Sequence, residues 1–119
     1  NQGFIALIQR YLTGHAWRVL GAPNGAIARQ IIATVRPTVI TLDVMIPQED
    51  GWELLMSLKR DPVTCGIPVI VCSVLKEPQL AVALGAVAYL PKPVTERALL
   101  IALEPWASAS ASRATGCPG

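Results

Sequence analysis

The stretch that decides the fold is residues 38–51, which read TVITLDVMIPQEDG. Its first five residues are apolar or β-branched, a composition typical of a strand that is buried on both faces in a parallel sheet. The run ends on a carboxylate, Asp43, and Pro47 with the Asp50-Gly51 pair then predicts a loop. Open α/β sheets bind their ligands beyond the carboxyl ends of their strands. The stretch therefore predicts that Asp43 lies at a functional site.

Helix and strand signals alternate around this stretch. Further strands are predicted at residues 17–21, 67–72 and 87–90, where short runs are rich in apolar and β-branched residues. Residues with helical spacing predict helices between and around the strands. Three of these helices are predicted at residues 3–12, 52–60 and 78–85. Two more are defined by their ends: one is capped by Asn24 and stops before Pro37, and the other is capped by Thr95 and ends at Pro105. The alternation predicts an α/β fold, a doubly wound parallel sheet with helices on both faces.

The opening helix has one apolar stripe. Its members recur at positions i, i+3, i+4 and i+7 and are Phe4, Leu7, Ile8 and Tyr11. This spacing predicts an amphipathic helix whose stripe packs on the core. Because the pattern opens on a helix, we expect a further strand in front of it.

Composition narrows the class of protein. The chain has 119 residues, of which 52% are apolar and 15% charged. This composition predicts one folded domain over residues 1–105.

The net charge of +2, with no run of Lys or Arg, argues against direct nucleic-acid binding. No apolar stretch approaches the roughly 18 residues of a membrane helix. The cysteines lack C-x-x-C spacing and Cys72 lies inside an apolar run, which predicts a buried thiol, and we therefore expect a cytoplasmic protein. Residues 106–119 predict a low-complexity tail or linker.

Three polar residues stand at the carboxyl ends of three successive predicted strands: Asp43, Ser73 and Lys92. Each alone has an ordinary explanation, as a loop acid, a strand-end serine or a lysine in a turn. In a parallel sheet, however, these ends share one edge, so a carboxylate, a hydroxyl and an ammonium can converge there. A carboxylate can act as a nucleophile toward phosphorus. The positive charge and the donor supply the neutralisation that phosphoryl transfer requires.

Over residues 1–104 the sequence resembles the receiver domain of two-component response regulators. The motifs that carry the resemblance are LDVMIPQEDGWELL at 42–55, IPVIVCS at 67–73 and GAVAYLPKP at 85–93. The resemblance implies a flavodoxin-like three-layer sandwich in which Asp43 is the phosphoacceptor, Lys92 pairs with the phosphoryl group, and Ser73 and Tyr89 are switch residues. It also implies a Mg²⁺ ligand from the Met45 backbone carbonyl and a cis Lys92–Pro93 bond.

The sequence departs from the family at its start. The family opens with a strand that ends in an acidic pair holding Mg²⁺, and that strand lies between those predicted at 17–21 and 38–42. Neither the strand nor the pair is in the sequence, where Glu49 and Asp50 are interpreted as turn and helix-start residues. We therefore expect Mg²⁺ only if an upstream acidic pair is present, since Asp43 and the Met45 carbonyl are too few ligands. We also expect that residues 1–119 alone do not form a stable monomer.

The function that the resemblance implies is that of a phosphoaccepting signalling module rather than an enzyme. A sensor histidine kinase or phosphotransfer protein would phosphorylate Asp43, and a downstream output domain or protein would respond; a homodimer is compatible with this scheme. Two alternatives stay open. One is a pseudo-receiver that binds partners without phosphorylation, which the absent acidic pair favours. The other is a phosphatase of the haloacid dehalogenase kind, whose second acid would stand where this chain has Met45.

Overall fold

The structure is a computed structural model, and it describes residues 2–15, 17–22, 24–44, 51–74 and 77–107. The described helices and strands follow one another in chain order: α1 (Gln2–Leu12), α2 (Gly25–Val35), β1 (Ile40–Asp43), α3 (Gly51–Arg60), β2 (Val69–Ser73), α4 (Pro78–Ala83), β3 (Ala88–Pro91) and α5 (Glu96–Ala107). Within these ranges, no helix is both long and apolar enough to cross a membrane.

The sheet is parallel and is centred on β2. Its strand order is β1-β2-β3, and in the register Asp43 lies opposite Cys72 and Ser73 lies opposite Pro91. All five residues of β2 are buried because strands flank it on both edges and helices cover both of its faces. The apolar run at 67–72 therefore predicted the central strand of the described sheet correctly.

The alternation of side chains along β2 divides the core into two halves. Val69 and Val71 belong to a cluster with residues of α2, α3 and α4, among them Leu55 and Leu58. Ile70 and Cys72 belong to a second cluster with residues of α1 and α5, namely Ile8, Leu12, Leu99 and Leu103. Helices thus cover both faces of a parallel sheet, which confirms the predicted doubly wound α/β fold.

The predicted helix starts are confirmed by their caps. The side-chain oxygen of Asn24 accepts a hydrogen bond from the N–H of Ile27 at 2.9 Å, and the hydroxyl of Thr95 accepts one from the N–H of Ala98 at 3.1 Å. Each bond satisfies a backbone donor that a helix start leaves without an intrahelical partner.

The Lys92–Pro93 bond is cis, as the resemblance implied.

The predicted end of the last helix is wrong, because α5 continues through Pro105 to Ala107. A proline fixes φ near −65°, a helical value, but it lacks the N–H for a helical hydrogen bond and its ring crowds the carbonyl four residues earlier. Trp106 packs against the second core cluster. This packing favours a final turn that the local sequence signal argued against.

The strand predicted at 17–21 is also wrong, since residues 17–22 form no regular secondary structure. A strand needs a neighbour for its backbone groups, and none of the described strands lies beside this segment. Instead, a cavity of about 630 Å³ lies between the segment and β1, and it is lined by the segment itself, by β1 and by residues of α1, α2, α3 and α5. The segment and β1 do not pair with each other, in agreement with the expectation that a strand is missing between them.

Candidate functional site

The site is built at the carboxyl edge of the sheet around Asp43 and Lys92. Asp43 ends β1 and its side chain is only 5% exposed, while Lys92 follows β3 directly and its side chain is 18% exposed. The ammonium nitrogen Nζ of Lys92 lies 2.8 Å from Oδ2 of Asp43. A carboxylate this deeply buried requires a compensating charge, and the lysine supplies it across the width of the sheet.

Ser73 and Tyr89 are the other predicted site residues that the structure describes. Ser73 ends β2 and is fully buried. It directly follows Cys72, the residue that lies opposite Asp43 where β1 and β2 pair. Its carbonyl oxygen accepts a hydrogen bond from the N–H of Lys92 at 2.9 Å. The hydroxyl of Tyr89 donates to the same oxygen at 3.4 Å. The main chain of Ser73 therefore connects the ends of β2 and β3, and the predicted site residues that the structure describes meet at one edge.

Gly51 fixes the way the chain leaves this edge. The N–H of Gly51 donates to the carbonyl oxygen of Val44 at 3.3 Å, so α3 begins against the end of β1. A Cβ atom on residue 51 would lie 2.7 Å from that same oxygen. The close approach requires glycine, and this explains the glycine that the sequence analysis assigned only to a turn.

The electrostatics of the edge are visible in the neighbouring thiol. Burial is the main cause that raises the pKa of Cys72 to about 12; the positive charge of Lys92 opposes the rise and the negative charge of Asp43 adds to it. Cys72 is a buried free cysteine, as predicted. A thiol with this pKa stays protonated near neutral pH and is not a nucleophile there.

Some predicted residues fall outside the described part of the chain. Met45, Glu49 and Asp50 are among them, so the structure says nothing about the predicted backbone ligand or about the two other acids. In the part of the chain that the structure describes, no group of three or more His, Cys, Asp or Glu side chains could hold a metal ion.

Phe4 is a residue at the site that sequence reasoning assigned only to the core. Its ring centroid lies 4.8 Å from Nζ of Lys92. The helical spacing of the apolar stripe gave the correct face of α1, but it carried no signal for a contact between that face and a charged side chain some 90 positions away in the chain.

A doubly wound α/β sheet with a paired carboxylate and lysine at its carboxyl edge defines a small class of proteins. The comparison with known families identifies that class. The model of the response regulator receiver domain matches residues 1–104. The chain therefore belongs to the response regulator receiver domain family, the phosphoacceptor module of two-component signalling.

Individual relatives agree with this assignment. The chain is 33% identical over 95 residues to the response regulator PleD of Caulobacter vibrioides. The matched region covers 77% of this chain and 21% of PleD. It is 33% identical over 92 residues to the protein PilH of Pseudomonas aeruginosa, covering 75% of this chain and 76% of PilH. A probable cyclic di-GMP phosphodiesterase of Vibrio cholerae is 35% identical over 82 residues, 66% of this chain and 19% of that protein. The chain thus spans about a fifth of the phosphodiesterase and of PleD.

Solved structures show the same fold. The receiver domain of a response regulator from Bermanella marisrubri superposes with a TM-score of 0.80 at 34% identity, covering 88% of this chain and 89% of that one. The receiver domain of the Francisella response regulator 1452 gives a TM-score of 0.81 at 24% identity, with 93% of each chain covered. These similarities confirm the predicted flavodoxin-like receiver fold.

The described residues do not by themselves make a magnesium site. Receiver domains generally bind Mg²⁺ through acidic residues, and Asp43 is here engaged by Lys92. Mg²⁺ prefers several oxygen ligands in octahedral geometry, and the described chain brings no cluster of acids to the edge. For this reason no step of the function proposed below is assigned to the metal.

Proposed function

We propose that this chain is a phosphoaccepting receiver in which Asp43 takes a phosphoryl group from a sensor histidine kinase or a phosphotransfer protein. The observation that carries the proposal is the pair formed by Asp43 and Lys92, 2.8 Å apart at the carboxyl edge of the sheet. In this proposal the domain is regulatory, cytoplasmic and not an enzyme acting on a separate substrate.

The transfer itself requires little from the protein beyond positioning. An oxygen of the Asp43 carboxylate attacks the phosphorus of a phosphohistidine, an acyl phosphate bond forms, and the phosphorus–nitrogen bond breaks with its electron pair returning to the imidazole. The ammonium of Lys92 lies beside the attacking carboxylate and pairs with the phosphoryl oxygens as they arrive. Such charge-assisted hydrogen bonds are stronger than neutral ones.

The switch begins at Ser73 in this proposal. The phosphoryl group on Asp43 draws the Ser73 hydroxyl toward it, and Tyr89 follows because its hydroxyl bonds to the Ser73 carbonyl. The helices that contact β3 are α4 and α5, and together with β3 they form the α4–β3–α5 face. The exposed apolar residues on or beside it are Leu80, Val82, Val87 and Ile101. Exposed apolar patches commonly mark interaction sites. We assign binding of an output domain, or self-association, to this face.

A pseudo-receiver is the second candidate, and a specific observation favours it. Among the residues that the structure describes, no acidic cluster accompanies Asp43. Such a protein would keep the fold and the partner face but would not accept a phosphoryl group. The two candidates therefore differ in one measurable property, the chemical modification of Asp43.

Labelling with a small phosphodonor tests the proposed function. The complete gene product is incubated with Mg²⁺ and phosphoramidate, and its intact mass is measured. We expect one phosphoryl group per chain, lost on treatment with hydroxylamine, which cleaves acyl phosphates. A chain that stays unmodified under conditions that label a known receiver domain would support the pseudo-receiver instead.

Replacing Ser73 with alanine should weaken the switch while the protein still accepts the phosphoryl group. The side chain is fully buried, and the substitution removes only the hydroxyl, because the hydrogen bond from Lys92 ends on the main-chain carbonyl. The measurement is amide hydrogen exchange across α4 and β3 before and after phosphorylation, and we expect the difference between the two states to be largely lost.

Thr64→Ala is the matched control for this variant. Thr64 is also buried, and its hydroxyl donates to the carbonyl of Leu58 at 2.6 Å. Both variants should lose stability on the order of 1 kcal/mol, but only Ser73→Ala should lose the exchange response. An unchanged response in Ser73→Ala would remove Ser73 from the switch.

A further inference from the structure

One face of α1 contacts the loop that carries Lys92 at two places. The ring centroid of Phe4 lies 4.8 Å from Nζ of Lys92. The hydroxyl of Tyr11 donates a hydrogen bond to the carbonyl oxygen of Val94 at 2.9 Å. Phe4 and Tyr11 are seven positions apart, so they lie about two turns apart on the same face of the helix. Aromatic side chains of α1 therefore contact both the side chain of Lys92 and the main chain of the loop that carries it.

The contact with Phe4 bears on the ammonium group itself. A lysine side chain is long and rotates freely, so an ion pair alone does not fix the position of its nitrogen. The Asp43 carboxylate attracts Nζ from one side, and the Phe4 ring offers the negative face of its π system to the same nitrogen. Phe4 carries no charge. It therefore attracts the ammonium without accepting its proton and without replacing Asp43 as its counter-ion.

We propose that Phe4 and Tyr11 are positioning residues that hold the Lys92 ammonium against Asp43. Phe4 acts on the ammonium through its ring face, and Tyr11 acts on the main chain of the same loop through Val94. The consequence for phosphoryl transfer rests on the proposed function, whereas the positioning itself does not. Helix α1 thereby becomes part of the site, in addition to covering the core.

A purely structural role for Phe4 makes a different prediction. Phe4 also packs against the second core cluster, and that packing depends on the size and apolarity of the side chain. Attraction between a cation and a ring depends instead on the negative charge of the ring face, which fluorine substituents withdraw with little change in size. The two roles therefore separate in a series of fluorinated phenylalanines at position 4.

The experiment uses the complete gene product and two readouts. The first is the NMR shift of the ε-methylene protons of Lys92, which needs no phosphorylation. We expect an upfield ring-current shift that is lost in Phe4→Leu and kept in Phe4→Trp. The second is the rate of labelling by phosphoramidate, which we expect to fall by about two- to fivefold from phenylalanine to its trifluoro form. Tyr11→Phe, which loses only the hydroxyl, should slow labelling by a similar factor.

Each outcome decides a separate point. Lys92 shifts that are the same in Phe4→Leu and in the wild type would overturn the proposal. Labelling rates that stay level along the fluorinated series would also overturn it, since they would assign Phe4 to packing alone. A wild-type protein that shows the ring-current shift but accepts no phosphoryl group would refute the proposed function and leave the positioning of Lys92 supported.

Discussion

Adding an apolar strand beside β1 is expected to raise the free energy of unfolding of residues 1–119 by about 3 kcal/mol or more. The reason lies in the free edge of β1. The N–H of Ile40 donates to the carbonyl of Pro68, so Ile40 directs its backbone groups toward β2. In a parallel strand the next residue, Thr41, directs its groups the opposite way, into the cavity. Each buried polar group without a partner costs roughly 1–3 kcal/mol.

The strand can be supplied by fusion to the start of α1. Phe4 contacts Lys92, and Lys92 pairs with Asp43, so the first turn of α1 lies at the carboxyl edge of the sheet. A parallel strand that filled the cavity would end at this edge and lead directly into the helix. We would fuse a short strand of valine and isoleucine ahead of Asn1 and measure urea unfolding.

The matched control carries a fused segment of the same length made of serine and glycine. It has the same backbone but little tendency to form a buried strand, so it should leave the unfolding midpoint unchanged. The free energy of unfolding of a whole domain is about 5–15 kcal/mol, which makes the expected gain large. A fused strand of valine and isoleucine that leaves the unfolding midpoint no higher than the serine–glycine control would contradict this expectation.

Replacing Lys92 with alanine is expected to separate phosphorylation from its structural response. Asp43 remains in the variant and can still accept a phosphoryl group, but no ammonium then pairs with the phosphoryl oxygens. A lost charge-assisted hydrogen bond costs about 1.5–3 kcal/mol, which corresponds to a roughly 10- to 150-fold smaller bias toward the switched state. The change in amide hydrogen exchange of the α4–β3–α5 face on phosphorylation should therefore almost vanish.

Lys59→Ala is the control that measures the effect of losing a partly buried lysine outside the site. Lys59 donates to the carbonyl oxygens of Cys65 and Ile67, at 3.1 and 2.7 Å, and burial lowers its pKa. It belongs to α3 and has no hydrogen bond to the site residues among its described contacts. Its removal should cost stability and leave the switch intact. A normal exchange response in phosphorylated Lys92→Ala would refute the role assigned to Lys92.

The convergence of the site could be predicted from the sequence because it depends on strand ends alone. Asp43, Ser73 and Lys92 each follow an apolar run, and parallel strands bring such positions to one edge. The ion pair between Asp43 and Lys92 was not predicted, because β2 separates their strands and the contact depends on the reach of the lysine side chain. The order and direction of the strands predict the convergence alone.

The features that could not be predicted depend on packing between distant parts of the chain. Residues 17–21 have the composition of a strand, but a strand forms only where a neighbour accepts its hydrogen bonds, and composition does not reveal the neighbour. Pro105 marks a helix end locally, yet the packing of Trp106 on the core favours another turn. The contact of Phe4 with Lys92 depends on how α1 is rotated and displaced relative to the loop after β3, which helical spacing leaves open.

Locating the phosphoryl group by chemical trapping is the most direct test of the account. The complete gene product is labelled with phosphoramidate and Mg²⁺ and reduced with borohydride, which converts a phosphorylated aspartate to homoserine, and its peptides are sequenced by mass spectrometry. We expect homoserine at position 43, no labelling in Asp43→Asn, and normal labelling in Asp61→Asn, which removes an exposed acid at the end of α3. Homoserine at another position, or full labelling of Asp43→Asn, would contradict the assignment of Asp43 as the phosphoacceptor.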